Sequence, residues 1–295
     1  MKIIEIKIDN QYTRKLEFII TKNYLAKVLM KVLDCAAGTG ECICLFSDPI
    51  YKKNYQEVNM ITTLVFDYGG VLAYPKAGNW FITQNTRKII GLPNYMRCFL
   101  NYKKIAAALE KALKYLNDNH VLHTEQDEYL QFIVFYKIFF KSMGFTKDMT
   151  KECQKLAYDI VYNDDKVKFY DDVITMFTEI KKNYKIVILS DTWPSLKRIL
   201  KNKGILPMLD GLIMSCDYGA TKETTKLFEI TTQELNLIPE ECVFIDDSIS
   251  NLENAEKAGY NPVLMDRNDK ITTSKYPLAK NISDVIKLIG ATLPV

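Results

Sequence analysis

Three carboxylates at the ends of two apolar runs carry most of the chemistry this sequence could do. Asp67 follows Leu64-Val65-Phe66 and opens Tyr68-Gly69-Gly70-Val71-Leu72. Asp246 and Asp247 follow Cys242-Val243-Phe244-Ile245 and precede Ser248. A carboxylate can act as a nucleophile, and a neighbouring Asp pair can hold a hard divalent cation. Such a cation lets a third carboxylate approach an electron-rich phosphate. Apolar runs that stop at these residues read as strands of an open α/β sheet, which places its ligands outside the carboxyl ends of its strands.

The elements that must position these residues alternate from residue 61 onward. Residues 61–66, 185–189, 212–214, 243–245 and 262–265 read as strands, and near-continuous apolar runs fit a parallel sheet buried on both faces. Helical patterns fall at 171–182, 194–203, 223–236, 249–258 and 283–289. Gly204 and Gly259 stand where helix ends need a residue tolerant of positive φ. Strands separated by helices predict right-handed βαβ units and a doubly wound, Rossmann-like α/β fold.

About ninety residues after the first strand lack strand signal. Residues 103–119 carry Ile105, Leu109, Ala112, Leu113 and Leu116 at helical spacing, 128–142 are apolar and aromatic, and 150–162 are amphipathic. An all-helical module inserted here would sit over the carboxyl edge of the sheet as a cap that excludes water and selects the substrate. The expected division is a core of 61–74 and 166–295, a cap of 75–165, and an N-terminal extension of 1–60.

In that extension, residues 2–9 could form a strand, with Ile4, Ile6 and Ile8 on one face. Residues 22–34 form an amphipathic pattern whose stripe of Leu25, Val28, Leu29 and Val32 must bury against something. The stretch from Val32 to Glu41, with Gly38-Thr39-Gly40, resembles the first motif of S-adenosylmethionine-dependent methyltransferases. That domain needs a full doubly wound sheet, and the next strand already belongs to Asp67. The turn is therefore read as structural or as a remnant.

Composition excludes some classes. The chain has 295 residues, 48% hydrophobic, with a net charge of +3 and mixed signs. This argues against nucleic acid as an obligatory partner, and no apolar run is long enough to span a bilayer. The first ten residues lack the apolar region of a secretory signal. Seven scattered cysteines, an odd number, read as reduced thiols of a cytoplasmic protein. Cys35, Cys42 and Cys44 lack a fourth partner for a metal site.

From Asp67 onward, four features fall in order: Asp67 itself, Ser190 in Leu189-Ser190-Asp191-Thr192, Lys222 in Gly219-Ala220-Thr221-Lys222, and Asp246-Asp247 followed by Ser248, Asn251, Ala255 and Gly259. Singly, each has an ordinary reading: a turn residue, a helix cap, a surface lysine. Together, at successive strand ends, they read as one site. Their order and spacing over about 61–290 resemble the haloacid dehalogenase-like hydrolases, most of which are phosphatases.

The resemblance implies a nucleophilic Asp67 that forms an aspartyl-phosphate. It implies Mg²⁺ held by Asp67, the Gly69 main-chain carbonyl, Asp246 and Asp247. Ser190, Asp191 and Lys222 would bind the phosphate, Ser190 by a hydrogen bond and Lys222 by its charge, which could also orient Asp247. The partner would be a small phosphorylated molecule, of unspecified identity; the oligomeric state stays open.

One departure matters. Most family phosphatases carry a second Asp two residues after the nucleophile, to protonate the leaving group. Here that position is Gly69. A missing general acid costs about 10²–10⁴ in rate, least for a good leaving group. The expectation is a preference for anomeric sugar, acyl or aryl phosphates. The competing readings are a catalytically weak member with a binding or regulatory role, and a 2-haloacid dehalogenase; the Asp246-Asp247 pair disfavours the latter. His120 and His123 are expected on a solvent-facing loop, the aromatic residues of 132–140 in the cap core, and Trp80 and Arg87 in the segment that enters the cap.

Overall fold

The computed structural model describes residues 60–291. The expectations for the N-terminal strand, the helix at 22–34, the Gly38-Thr39-Gly40 turn and Cys35, Cys42 and Cys44 lie outside the described residues.

The apolar runs form a six-stranded, all-parallel sheet in the order β5-β4-β1-β6-β7-β8. Its strands are β1 (Thr63–Phe66), β4 (Lys185–Ser190), β5 (Gly211–Met214), β6 (Cys242–Asp246), β7 (Asn261–Met265) and β8 (Leu278–Ala279). The order reverses at β1, which pairs with β4 on one side and β6 on the other. That switch point is where a doubly wound sheet opens its ligand crevice.

Alternation along the strands feeds two cores. Leu64, Phe66, Ile186 and Ile188 face one side, under α6 (Val173–Ile180), α7 (Ser195–Asn202) and α11 (Ile282–Ala291). Val65, Val187, Leu189 and Phe244 face the other, under α9 (Lys226–Glu234) and α10 (Ile249–Lys257). Burial on both faces explains why the strands read as unbroken apolar runs.

Between β1 and α6 the chain makes a two-stranded antiparallel ladder, β2 (Ala73–Pro75) with β3 (Val167–Phe169). From it rises a helical insert: α1 (Thr86–Ile90), α2 (Leu92–Phe99), α3 (Tyr102–Asp118), α4 (Glu125–Ser142) and α5 (Thr150–Tyr162). The insert has its own core, with Leu116, Phe132, Phe135 and Ile160 all buried. Helix α4 begins at Glu125 instead of 128 because Thr124 and Asp127 form a capping box across the first turn.

The helix expected from 223 starts at Lys226; residues 221–225 are turn and coil that aim Lys222. The short helix α8 (Ser215–Tyr218) ends at Gly219, whose φ of +63° suits glycine. Among the described residues no helix is long and apolar enough to cross a membrane.

Candidate active site

Asp67 leaves the end of β1, its main-chain N–H donating to the Ile245 carbonyl of β6 at 2.9 Å. This bond sets the ends of two adjacent strands side by side. Asp67, Asp246 and Asp247 each offer a carboxylate oxygen, and the three lie within 4.8 Å of one another. Asp67 and Asp246 are buried, whereas Asp247 reaches solvent.

Lys222 is 2% exposed, and its Nζ donates to Asp67 Oδ1 at 2.6 Å and to Asp246 Oδ2 at 2.7 Å. It bridges these two carboxylates and makes no hydrogen bond to Asp247, the residue it was expected to orient. Its loop is held at both ends. The Lys222 N–H donates to the Asp191 carboxylate at 3.1 Å, and the Asn254 amide donates to the Lys222 carbonyl at 3.0 Å. Asp246 is fixed in turn by the Ser248 N–H (2.8 Å) and the Asn251 amide (3.1 Å).

Burial disfavours charge, and three carboxylates share one ammonium. Burial pushes Asp67 up to about 7 against the pull of Lys222, with Asp246 adding to the rise. Partial desolvation, then the charge of Asp246, pushes Asp247 up to about 6. Burial alone would lower the Lys222 pKa, but Asp67 and Asp246 outweigh it and hold the ammonium protonated. The cluster of Asp67, Asp246, Asp247 and Lys222 therefore carries two negative charges in excess when all four groups are ionised.

Gly70 lets Asp247 close on this cluster. Its φ is +77°, and a Cβ there would stand 2.1 Å from Asp247 Oδ2. Gly69 lies under Trp80, where a Cβ would meet the indole Cζ2 at 3.1 Å. Ser190 is the last residue of β4 and is buried. Thus Asp67, Gly69, Ser190, Asp191, Lys222 and Asp247 line one cavity of about 510 Å³, while Asp246 lies behind it.

The chain between β2 and β3 adds Trp80, Phe81, Glu128 and Phe132 to the lining of that cavity. Helix α4 is seated by a polar face that sequence patterning could not reveal. Glu125, Glu128 and Gln131 follow one another at helical spacing. Glu125 accepts from Arg198 Nε at 2.9 Å, Glu128 from the Ser195 N–H and hydroxyl, each at 2.8 Å, and Gln131 from Trp193 Nε1 at 3.0 Å. Arg198 also donates to Asp164 and to the Val161 carbonyl.

His120 departs from expectation. It is partly buried against the Trp193 ring, with Nε2 2.6 Å from the Ser215 hydroxyl, and burial lowers its pKa. Ser215 in turn accepts from the Thr192 N–H at 2.9 Å. His123 is exposed, as expected. The aromatic residues Phe132, Phe135, Tyr136 and Phe140 belong to the insert core.

The model of the haloacid dehalogenase-like hydrolase family matches residues 61–259. The chain is 29% identical over 137 residues to the protein YMR130W of Saccharomyces cerevisiae, covering 40% of this chain and 45% of the relative. It is 25% identical over 121 residues to the D-ribitol-5-phosphate phosphatase of Bacteroides thetaiotaomicron, covering 39% and 57%. The chain thus spans about half the length of the curated relatives it matches. Its fold resembles that of YfnB of Bacillus subtilis, solved with magnesium bound, with a TM-score of 0.56 at 14% identity over 78% of this chain and 99% of that one. With well over half of its residues inside the family match, the chain belongs to the haloacid dehalogenase-like hydrolases.

Proposed function

We propose that this chain is a Mg²⁺-dependent phosphatase of a small phosphorylated metabolite, with Asp67 as nucleophile. The observation that carries the reading is the convergence of Asp67, Asp246 and Asp247 within 4.8 Å around a single buried ammonium. Their excess of two negative charges fits a hard divalent cation, and all three donors are carboxylate oxygens. Asp67, Asp246, Asp247 and the Gly69 carbonyl would hold it. When bound, Mg²⁺ supplies the positive charge that lowers repulsion between carboxylate and phosphate.

The chain's own groups do the remainder. An Asp67 oxygen attacks phosphorus, the bond from phosphorus to the leaving oxygen breaks, and its electron pair stays on that oxygen. Lys222 faces the charge that spreads over the phosphoryl oxygens, and the Ser190 hydroxyl donates to one of them. Asp191 braces the Lys222 loop through its carboxylate. Water then hydrolyses the aspartyl-phosphate and frees Asp67. Gly69 offers no side-chain proton to the departing oxygen, which favours a leaving group stable as an anion.

The helical insert serves as the cap, closing the cavity over Asp67 with Trp80, Phe81 and Phe132. The curated relative named for D-ribitol 5-phosphate supports a phosphorylated small molecule as the substrate class. Its named substrate is a primary alkyl ester, so the leaving-group preference of this chain needs its own test. Attack at carbon, as in dehalogenation, requires no cation, and a three-carboxylate cluster is a poor fit to it. The four described cysteines are free and buried, in keeping with reduced thiols of a cytoplasmic chain.

The deciding experiment measures phosphate release from aryl and sugar phosphates with Mg²⁺ and with chelator, for the native chain and Asp67→Asn. Turnover that needs Mg²⁺ and disappears in Asp67→Asn is expected. Activity on a 2-haloacid in chelator would overturn the reading. So would folded, Mg²⁺-binding protein that turns over no phosphate, which favours a binding or regulatory role.

A further inference from the structure

The cavity over Asp67 contains a second lysine that the phosphoryl chemistry does not use. Lys166 stands just before β3, at the return from the insert, and lines the same cavity as Asp67 and Lys222. Its Nζ donates to the Ile160 carbonyl. Among the described residues this is its only hydrogen-bond acceptor, and no described carboxylate is close enough to pair with it. Two of its three N–H bonds are left for a ligand.

A half-buried ammonium with two unused donors is costly unless something offsets the cost. Burial lowers the Lys166 pKa, and Glu128, 1% exposed and pinned by Ser195, is the chief charge that counters it. It offsets the charge from a distance and leaves the donors free. The same cavity is lined by the apolar and aromatic side chains of Trp80, Phe81, Phe132, Trp193, Ile160 and Leu196. Aromatic faces suit the C–H face of a sugar ring, and an ammonium suits a ring hydroxyl.

We infer that Lys166 is a specificity-determining residue that donates to a hydroxyl of the leaving group, so that the substrate is a sugar monophosphate with its ring against the wall of Trp80 and Phe132. The inference rests on the phosphatase reading and narrows it. Of the good leaving groups that Gly69 favours, aryl groups offer no hydroxyl to Lys166 and anomeric sugars do. Glu128 supplies counter-charge to Lys166 without touching it, since its own hydrogen bonds go to Ser195.

The test compares aldose 1-phosphates with phenyl phosphate, in Mg²⁺, for the native chain and Lys166→Met. A hydrogen bond from a charged donor is worth about 10- to 100-fold. The native kcat/KM ratio of sugar to phenyl ester should exceed about tenfold, and Lys166→Met should collapse it toward one. Equal loss on both esters, or a native preference for phenyl phosphate, overturns the inference. A deoxy-sugar series on the native chain reads the same contact without any variant: removal of one ring hydroxyl must cost about tenfold or more, and a flat series overturns it.

Calorimetry on Asp67→Asn separates this inference from the reading beneath it. Tighter binding of the aldose phosphate than of phenyl phosphate, with no turnover of either ester by the native chain, would sink the phosphatase and keep the sugar subsite. Equal binding of the two would sink the subsite whatever the turnover.

Discussion

The indole of Trp80 occupies the space that a side chain on Gly69 would need: a Cβ there would stand 3.1 Å from Cζ2. A general acid at residue 69 therefore needs the indole to give way by a few tenths of an ångström. Trp80 is itself held by the Tyr68 ring, 5.8 Å away between centroids. Gly69→Asp alone should lower kcat/KM on every phosphate, because Trp80 must move. Gly69→Asp combined with Trp80→Ala should raise turnover of alkyl monoesters relative to aryl esters, by up to the roughly 10²-fold that a general acid contributes. Steady-state rates on a paired alkyl and aryl ester measure this. A single Gly69→Asp variant that gains alkyl activity would refute the packing argument.

Charge balance makes the metal-free protein pH-sensitive. The pKa of Asp67 rises to about 7 and that of Asp247 to about 6, from an ordinary value of 3.8. The native state then binds more protons than the unfolded chain across this window, so stability falls as pH rises through it. In chelator the melting temperature should drop as pH climbs from about 4 to about 7. Saturating Mg²⁺ should abolish that slope, because a bound cation keeps the carboxylates ionised in the folded chain as they are in the unfolded one. Asp67→Asn should flatten the chelator curve. A melting temperature that rises with pH in chelator would contradict the assignment.

Metal binding itself should stabilise the fold. At free Mg²⁺ of a hundred times Kd the gain is about 2.7 kcal/mol, readable as a shift in thermal melting. Asp246→Asn should remove most of it. Gly70→Ala should weaken Mg²⁺ affinity by roughly tenfold or more, since the new methyl and the Asp247 carboxylate cannot share one position. Unchanged Mg²⁺ titrations for both variants would remove residue 247 and its neighbours from the metal site.

Lys222 offers a sharper electrostatic test. It sits between Asp67 and Asp246 at 2.6 and 2.7 Å, so Lys222→Met leaves two buried carboxylates without a counter-charge. Removing one partner of such a group costs about 3–5 kcal/mol. The loss should be large in chelator and smaller in Mg²⁺. Denaturant unfolding in both conditions gives the comparison, and equal losses would show that Lys222 and the cation do not share the same carboxylates.

The sheet was legible because each buried strand leaves an unbroken apolar run; β1, β4 and β6 fall where those runs lie. The missed elements are short. β2, β3 and β8 have three, three and two residues, too few to carry a period of two. The strand-end positions of Asp67, Ser190 and Asp246 followed from the same runs. What Lys222 touches did not, because its carboxylate partners lie 155 and 24 residues away. His120 was misread for a related reason. A polar residue between two helices looks solvent-facing until Ser215, 95 residues on, is folded against it. Trp80 over Gly69 likewise depends on how the chain leaves the sheet for the insert, which no local pattern encodes.

The seating of the insert can be probed through α4. Glu125, Glu128 and Gln131 present one polar face to Arg198, Ser195 and Trp193, so the contacts join the insert to the segment that follows β4. Arg198 is the hub, since it also holds Asp164 and the Val161 carbonyl where the insert ends. Its side chain is 26% exposed, which moderates the loss from Arg198→Ala to about 1–3 kcal/mol. Because the hub lies outside the Asp67 cluster, Mg²⁺ affinity should be retained while KM for the phosphate ester rises. Hydrogen exchange in α4 should quicken in the same variant. A change confined to kcat, with α4 protection intact, would place Arg198 in the chemistry instead of in the seating of the insert.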